Sequence, residues 1–237
     1  MGQYYKPTIQ AIKYDKNRNQ ARKLFSIDTY DLKYRPIEKD YTITLEEKTK
    51  AMQEWYEGCM DLYYKYKLTK EKLAKSIEKS DLIFRKDAKE FLQSMYENDV
   101  PVIILSAGIG NVIRQFLADN NCDFENIHII SNFIEFDENG NMKKFDNSKI
   151  IHTLNKTLEN HLPEEWQEKI DEKEWALLFG DLIEDLNMLP KNQKEKAVTI
   201  GFLEECEKRS LEKYKKNFDL VLIGEEAEFS KFNQKQL

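Results

Sequence analysis

The sequence predicts an α/β fold, a mostly parallel sheet with helices on its faces, preceded by a helical segment. Three observations carry this. From about residue 83 onward, short apolar runs alternate with amphipathic helical stretches, an order that demands crossover connections and therefore parallel pairing. One of these runs, Trp175 to Phe179, stops abruptly at Gly180-Asp181 and hands over to Leu182–Leu189, where apolar residues recur at helical spacing until Pro190. Between residues 40 and 82 the periodicity is helical throughout, with no strand signal.

Residues 1–40 are polar and aromatic, and nothing in them reads as a buried central strand. Thr8 to Tyr14 alternates weakly, and Asn17 to Lys23 is charged and helix-compatible. Leu24-Phe25-Ser26-Ile27 leads past Asp28 and Asp31 into a helix-like stretch, Tyr34-Arg35-Pro36-Ile37-Glu38. From Thr44 a helix is expected with Leu45, Met52, Trp55, Tyr56 and Met60 on its apolar stripe and Glu46, Glu47, Lys48 and Lys50 on its wet face. Thr69 is an N-cap for a second helix carrying Leu73, Ile77 and Leu82. Asp87 to Tyr96 is amphipathic. The β-branched run Val100 to Leu105 reads as a strand ending at Ser106-Ala107-Gly108-Ile109-Gly110, followed by a helix through Val112, Ile113, Phe116 and Leu117. Ile127 to Phe133 is a strand, and Asp137-Glu138-Asn139-Gly140-Asn141 predicts the turn of a small hairpin. Residues 150–170 are expected to be helical, Ala197–Leu203 a strand, Glu204–Lys215 a helix and Phe218–Ile223 a last strand, with a short polar tail after Gly224.

Composition narrows the function. The chain has 237 residues, 41% of them hydrophobic, enough for one large domain or a core with an appendage. The net charge is −6, and Lys and Arg are interspersed with Asp and Glu, which argues against a nucleic-acid polymer as partner. No apolar segment approaches a membrane span, and the N-terminal Gln-Tyr-Tyr-Lys-Pro does not resemble a leader, so a cytoplasmic protein without a membrane partner, acting as a monomer, is expected. Cys59, Cys122 and Cys206 have no CxxC spacing and read as reduced, mostly buried residues; the three histidines show no metal-ligand spacing.

Parallel α/β sheets place their chemistry where strands hand over to helices. Asp181 would lie at the mouth of such a turn, with Asp185 projecting back toward it one helical turn later. Two hard carboxylates at one point suit Mg²⁺, which takes few protein oxygens and completes its shell with water and phosphate. A capped turn with solvated acids is the plain alternative. On the same sheet edge, Ser106 offers a hydroxyl, and Ala107, Gly108 and Gly110 would present backbone N–H groups at a helix start, either an anion site or ordinary capping. Lys156 would add positive charge.

The order Ser106-Ala107-Gly108, Asn155-Lys156, then Gly180-Asp181 with Asp185 resembles the second to fourth motifs of the haloacid dehalogenase-like hydrolases. More narrowly, YRPIE at 34–38, TLEEK at 44–48, EWY at 54–56, FRKDAKEFL at 84–92, ILSAGIGNVI at 104–113, SNFIEFDENG at 131–140, IIHTLNK at 150–156 and IGFLEE at 200–205 resemble the cytosolic type III, or pyrimidine, 5′-nucleotidases across roughly residues 30–224. The resemblance implies a Rossmann-like core of the haloacid dehalogenase type over residues 83–237, with residues 1–82 forming an N-terminal segment and helical cap. It implies hydrolysis of nucleoside 5′-monophosphates, pyrimidines preferred, with Mg²⁺ and an aspartyl-phosphate. Ser106 and Lys156 would be catalytic, Ser106 bonding the phosphoryl group and Lys156 neutralising it and orienting the nucleophile. Asp181 would bind the metal and Asp185 support it. Ala107 and Gly108 would contribute to phosphate binding, Glu38 would read the base, and Trp55 or Tyr56 would pack near it; a surface acid and a helix core are the alternatives for these last.

One departure is large. The family opens with a strand ending in Asp-x-Asp, whose first Asp attacks phosphorus and whose second is the general acid and base. The 37 residues ahead of Glu38 lack it, and Asp28-Thr29-Tyr30-Asp31 has the wrong spacing. The nucleophile is therefore expected before Met1, and this stretch alone is expected to be inactive. Leu182 and Glu184 stand where the family usually has a small residue and Gly. The alternatives are a nucleotide- or phosphate-binding protein without turnover, and a phosphatase for another small ester.

Overall fold

The computed structural model describes residues 12–14, 27–38, 40, 42–80, 82–190, 193–203 and 210–224. Helix α1 (Ile27–Glu38) is followed by α2 (Leu45–Lys65), which starts where the sequence marks it: Thr44 Oγ1 accepts the Glu47 N–H, and the Glu47 carboxylate accepts the Thr44 N–H in return. The buried stripe of α2 is Met52, Trp55, Met60 and Tyr63; Leu45, expected on that stripe, is exposed, and Lys48, expected on the wet face, is buried where its ammonium donates to the Glu38 carbonyl. Helix α3 (Lys70–Glu78) is capped by Thr69 as expected. Leu82 does not extend it. Residues Leu82–Phe84 form strand β2, paired antiparallel with β1 (Ile12–Tyr14), and Leu82 and Phe84 pack on the main core. Strand pairing and that apolar contact override the helical spacing at this boundary.

The expected alternation then follows: α4 (Ala88–Glu97), β3 (Val102–Ile109), α5 (Gly110–Asp119), β4 (Ile127–Asn132), α6 (Leu158–His161), α7 (Glu164–Asp171), β5 (Ala176–Gly180), β6 (Ala197–Leu203), α8 (Leu211–Asn217) and β7 (Leu220–Ile223). Among the described residues the parallel strands form two sheets, β3 beside β4 and β5–β6–β7 in that order. The two sheets share one interior. Ile104 of β3 packs in the same cluster as Leu177 and Phe179 of β5 and Ile200 and Phe202 of β6, against Phe91, Leu92, Phe116 and Leu117 of α4 and α5. Leu105 of β3 and Leu178 of β5 pack on the opposite side with Ile130, Ile151, Leu158, Met188 and Leu189. Successive residues thus point to opposite faces, both apolar, as a sheet covered on both sides requires.

Helices α2 and α3 dock through Met60, Tyr63, Leu68 and Leu73 on Ile134, Met142 and Ile150. The expected hairpin turn is present, with Gly140 at φ +77° between the bridged residues Phe136 and Met142. Residues 150–157, expected to be helical, are instead loop and turn, because the Asn155 side chain captures their backbone: its Oδ1 accepts the His152 N–H at 2.7 Å and its Nδ2 donates to the Ile150 carbonyl at 2.8 Å. Asn17–Lys23, Leu24-Phe25, residues 204–209 with Cys206, and the tail after Gly224 lie outside the described residues, as do the side chains of Asp28 and Asp31. Cys59 and Cys122 are free thiols, the first half-buried and the second buried.

Candidate active site

Strand β5 ends at Gly180, and the chain turns through Asp181-Leu182 into a 3₁₀ turn, Ile183–Met188, in place of the expected α-helical start. Asp185 directs this turn. Its Oδ2 accepts the N–H groups of Asp181 at 3.0 Å and Leu182 at 3.1 Å, so the carboxylate folds back beneath the strand end. A Cβ at position 180 would lie 2.7 Å from the Asp185 Cβ, so the turn closes only over glycine. The other oxygen, Oδ1, accepts from Lys156 Nζ at 2.7 Å, and both side chains are 1% exposed. Burial pushes the Asp185 carboxyl above its ordinary value; the Lys156 ammonium pulls against this, and the charge of Asp181 adds to the push. Asp181 is itself buried, and the Tyr214 hydroxyl donates to its carbonyl, anchoring the turn to α8.

A divalent cation fits these donors. Asp181 and Asp185 are neighbouring buried carboxylates, the charge of Asp181 adds to the upward push on Asp185, and a positive charge relieves it; both side chains present hard oxygens. Asp185 is committed to Lys156 and two N–H groups, which suits it to steadying the turn.

Ser106 is fully buried, one residue beyond Leu105, which packs with Leu178, Met188 and Leu189 and so joins this strand end to the acidic turn. Here the sequence expectation needs correction. Strand β3 does not stop at Leu105 but continues to Ile109, held past a break in register by side chains of β4. Asn132 Nδ2 donates to the Ala107 carbonyl at 2.9 Å, and Ser131 Oγ donates to the Gly108 carbonyl at 2.9 Å. The Gly108 N–H is not open to an anion either, since it donates to Ser106 Oγ at 3.0 Å. That contact satisfies the oxygen and leaves the hydroxyl proton to be donated elsewhere. Asn132 also exchanges hydrogen bonds with the main chain of Ile151, which sets the course of the loop carrying Lys156.

Glu38 ends α1, and its carbonyl accepts from Lys48 Nζ at 3.0 Å. Trp55 is 6% exposed and stacks on Tyr34 with ring centroids 6.2 Å apart, under the Arg35 guanidinium. Its half-buried neighbour Tyr56 reaches the core, 6.5 Å from the ring of His152. Sequence reasoning missed His152, Asn132 and Lys48. The first two lie inside the quoted IHTLNK and SNFIEF segments, but only the fold reveals that their side chains organise the loops around Lys156.

The whole arrangement is a buried lysine–aspartate pair locking an acidic turn at the end of β5, with Ser106 inside β3 just past its last regular pair. A family profile described as pyrimidine 5′-nucleotidase (UMPH-1) matches residues 11–230. A 7-methylguanosine phosphate-specific 5′-nucleotidase A from Xenopus laevis is 31% identical over 214 residues, 90% of this chain and 71% of that protein. The Homo sapiens protein named 7-methylguanosine phosphate-specific 5′-nucleotidase is 32% identical over 197 residues, 82% of this chain and 65% of its own length. Among solved structures, cytosolic 5′-nucleotidase IIIB bound to cytidine superposes with a TM-score of 0.74 at 26% identity, over 92% of this chain and 72% of that one. A substrate-bound phosphoserine phosphatase, 17% identical, matches in fold with a TM-score of 0.52 over 87% of this chain and 89% of that one.

Proposed function

This chain belongs to the pyrimidine 5′-nucleotidase family, and we propose that it serves Mg²⁺-dependent hydrolysis of nucleoside 5′-monophosphates to nucleoside and phosphate. The observation that carries the reading is the Lys156–Asp185 pair at 2.7 Å, almost wholly buried against the Asp181 turn. A bare ion pair is costly to bury and earns no stability over an apolar pair of the same volume. Its value lies in what it positions.

In this reading Asp181 holds Mg²⁺, Asp185 steadies the turn, and the metal when bound neutralises charge on the phosphoryl oxygens. Ser106 donates its hydroxyl proton to a phosphoryl oxygen. Lys156, tethered by one of its three N–H groups to Asp185, directs the others toward the transferring group and the nucleophile. Helices α2 and α3, in the helical region 40–82, supply the cap over the core; Glu38 reads the base, with Trp55 or Tyr56 beside it, and Ala107 lies by the phosphate while the Gly108 N–H stays on Ser106 Oγ. The attacking carboxylate is the first Asp of the Asp-x-Asp motif that the resemblance implies. Its oxygen attacks phosphorus as the bond to the 5′-oxygen breaks. A second acid protonates the departing 5′-oxygen and then takes a proton from the water that hydrolyses the aspartyl-phosphate.

Pyrimidine substrates are the first choice, on the family description and the cytidine-bound relative. The names of the Xenopus and human relatives favour 7-methylguanosine monophosphate as the second. Asp181→Asn in the full-length protein tests the metal assignment: phosphate release is expected to fall about a hundredfold or more while the fold is kept. Activity within twofold of the parent would refute it.

A further inference from the structure

Lys48 sits three residues into α2, in the part of that helix that packs near the end of α1, and is 5% exposed. An ammonium so enclosed has to be matched by acceptors. One is the carbonyl of Glu38, in the last turn of α1, where helix carbonyls lack partners within the helix and the dipole favours a cation. Another is the carboxylate of Glu184, 3.9 Å away and 18% exposed, which belongs to the acidic turn between Asp181 and Asp185. The same ammonium therefore touches the backbone of Glu38 and the turn that carries Asp181 and Asp185. Glu184 reaches outward to Lys48, while Asp185, next in sequence, reaches inward to Lys156.

We propose that Lys48 and Glu184 are positioning residues that fix the distance between the base-reading Glu38 and the phosphate end of the site, making the chain selective for phosphate esters of nucleoside length. The proposal rests on the functional reading above. Neither residue touches the substrate; Lys48 acts through Glu38 at the base end, and Glu184 through the turn that carries Asp181. Lys48 alone is a helix cap, and Glu184 alone a solvated acid; their contact is what joins the helical segment to the turn.

The test uses the full-length protein with Mg²⁺ and the variants Glu184→Gln, Lys48→Met and the double variant, with CMP and p-nitrophenyl phosphate as substrates. Glu184→Gln is expected to raise KM for CMP about tenfold with kcat nearly kept, and to affect p-nitrophenyl phosphate at least fivefold less, since a small aryl ester does not reach Glu38. The double variant is expected to lose no more than Lys48→Met alone, and the melting temperatures to show the same non-additivity. Equal losses on both substrates, an unchanged KM for CMP in Glu184→Gln, or additive shifts in melting temperature would overturn the proposal. A parent protein that cleaves p-nitrophenyl phosphate but not CMP would instead overturn the nucleotide reading, and the melting-temperature cycle would still decide whether Lys48 and Glu184 are coupled.

Discussion

Lys156 and Asp185 concentrate the energetic consequences of single side chains. From sequence alone, Lys156→Ala is expected to cost rate without unfolding the chain. With both side chains 1% exposed, removing the ammonium strands a buried carboxylate, and a loss of about 3–5 kcal/mol is now expected in chemical denaturation. Lys156→Met with Asp185→Asn should recover most of that stability without recovering turnover. His152 gives a pH signature. Burial pushes its pKa down to about 4 from an ordinary 6.5, and its Nδ1 accepts the Leu154 N–H, which fixes the neutral ring. The unfolded chain therefore takes up a proton that the folded chain refuses. The stability due to neutral His152 is complete above pH 6.5 and drains away as the pH falls toward 4, by roughly 3 kcal/mol at most. Melting curves of His152→Gln should lose that part of the acid sensitivity; an unaltered pH dependence would show that the ring is not confined as described. The acids and the lysine of the site were legible in the sequence because their types and order carry chemistry. The burial of Lys156 was not, since a lysine among polar residues gives no sign of where its loop will lie.

At the scale of elements, the acidic turn depends on a missing side chain. Gly180→Ala would bring its Cβ to 2.7 Å from that of Asp185, so the turn must shift. A loss of about 1–3 kcal/mol and a weaker hold on Asp185 are expected, measurable by denaturation and by Mg²⁺ affinity. The Thr44–Glu47 capping box provides a contrast far from the chemistry: Thr44→Ala should cost about 1 kcal/mol and leave kcat alone. Strands and long helices could be read with some accuracy, Ala197–Leu203 to the residue, because its buried end, Ile200–Leu203, stands between charged stretches. Other elements escaped for stated reasons. Residues 150–157 have helical spacing, but Asn155 binds their backbone groups in place of a helical ladder. Strand β3 outruns its apolar stretch because Ser131 and Asn132, on a neighbouring strand, continue to hold it. The contacts of Ser131 and Asn132 join residues more than twenty positions apart, where periodicity carries no information.

For the whole molecule, helices and sheet converge on one site through two buried cations, Lys156 on Asp185 and Lys48 on Glu184. Strands β3 and β5 meet in common cores on both faces of the sheets. Among the described residues no helix is long and apolar enough to cross a membrane. The fold class was legible from alternation alone; the family became legible only when the serine, lysine and acidic motifs were taken in order. The most direct test of the central claim is phosphate release from CMP and UMP by the full-length protein, with Mg²⁺ and with the metal chelated, beside its Asp181→Asn variant. Release that requires Mg²⁺ and is lost in the variant is the expected result. Release that persists in the variant, or tight binding of CMP with no phosphate formed by the parent, would contradict it.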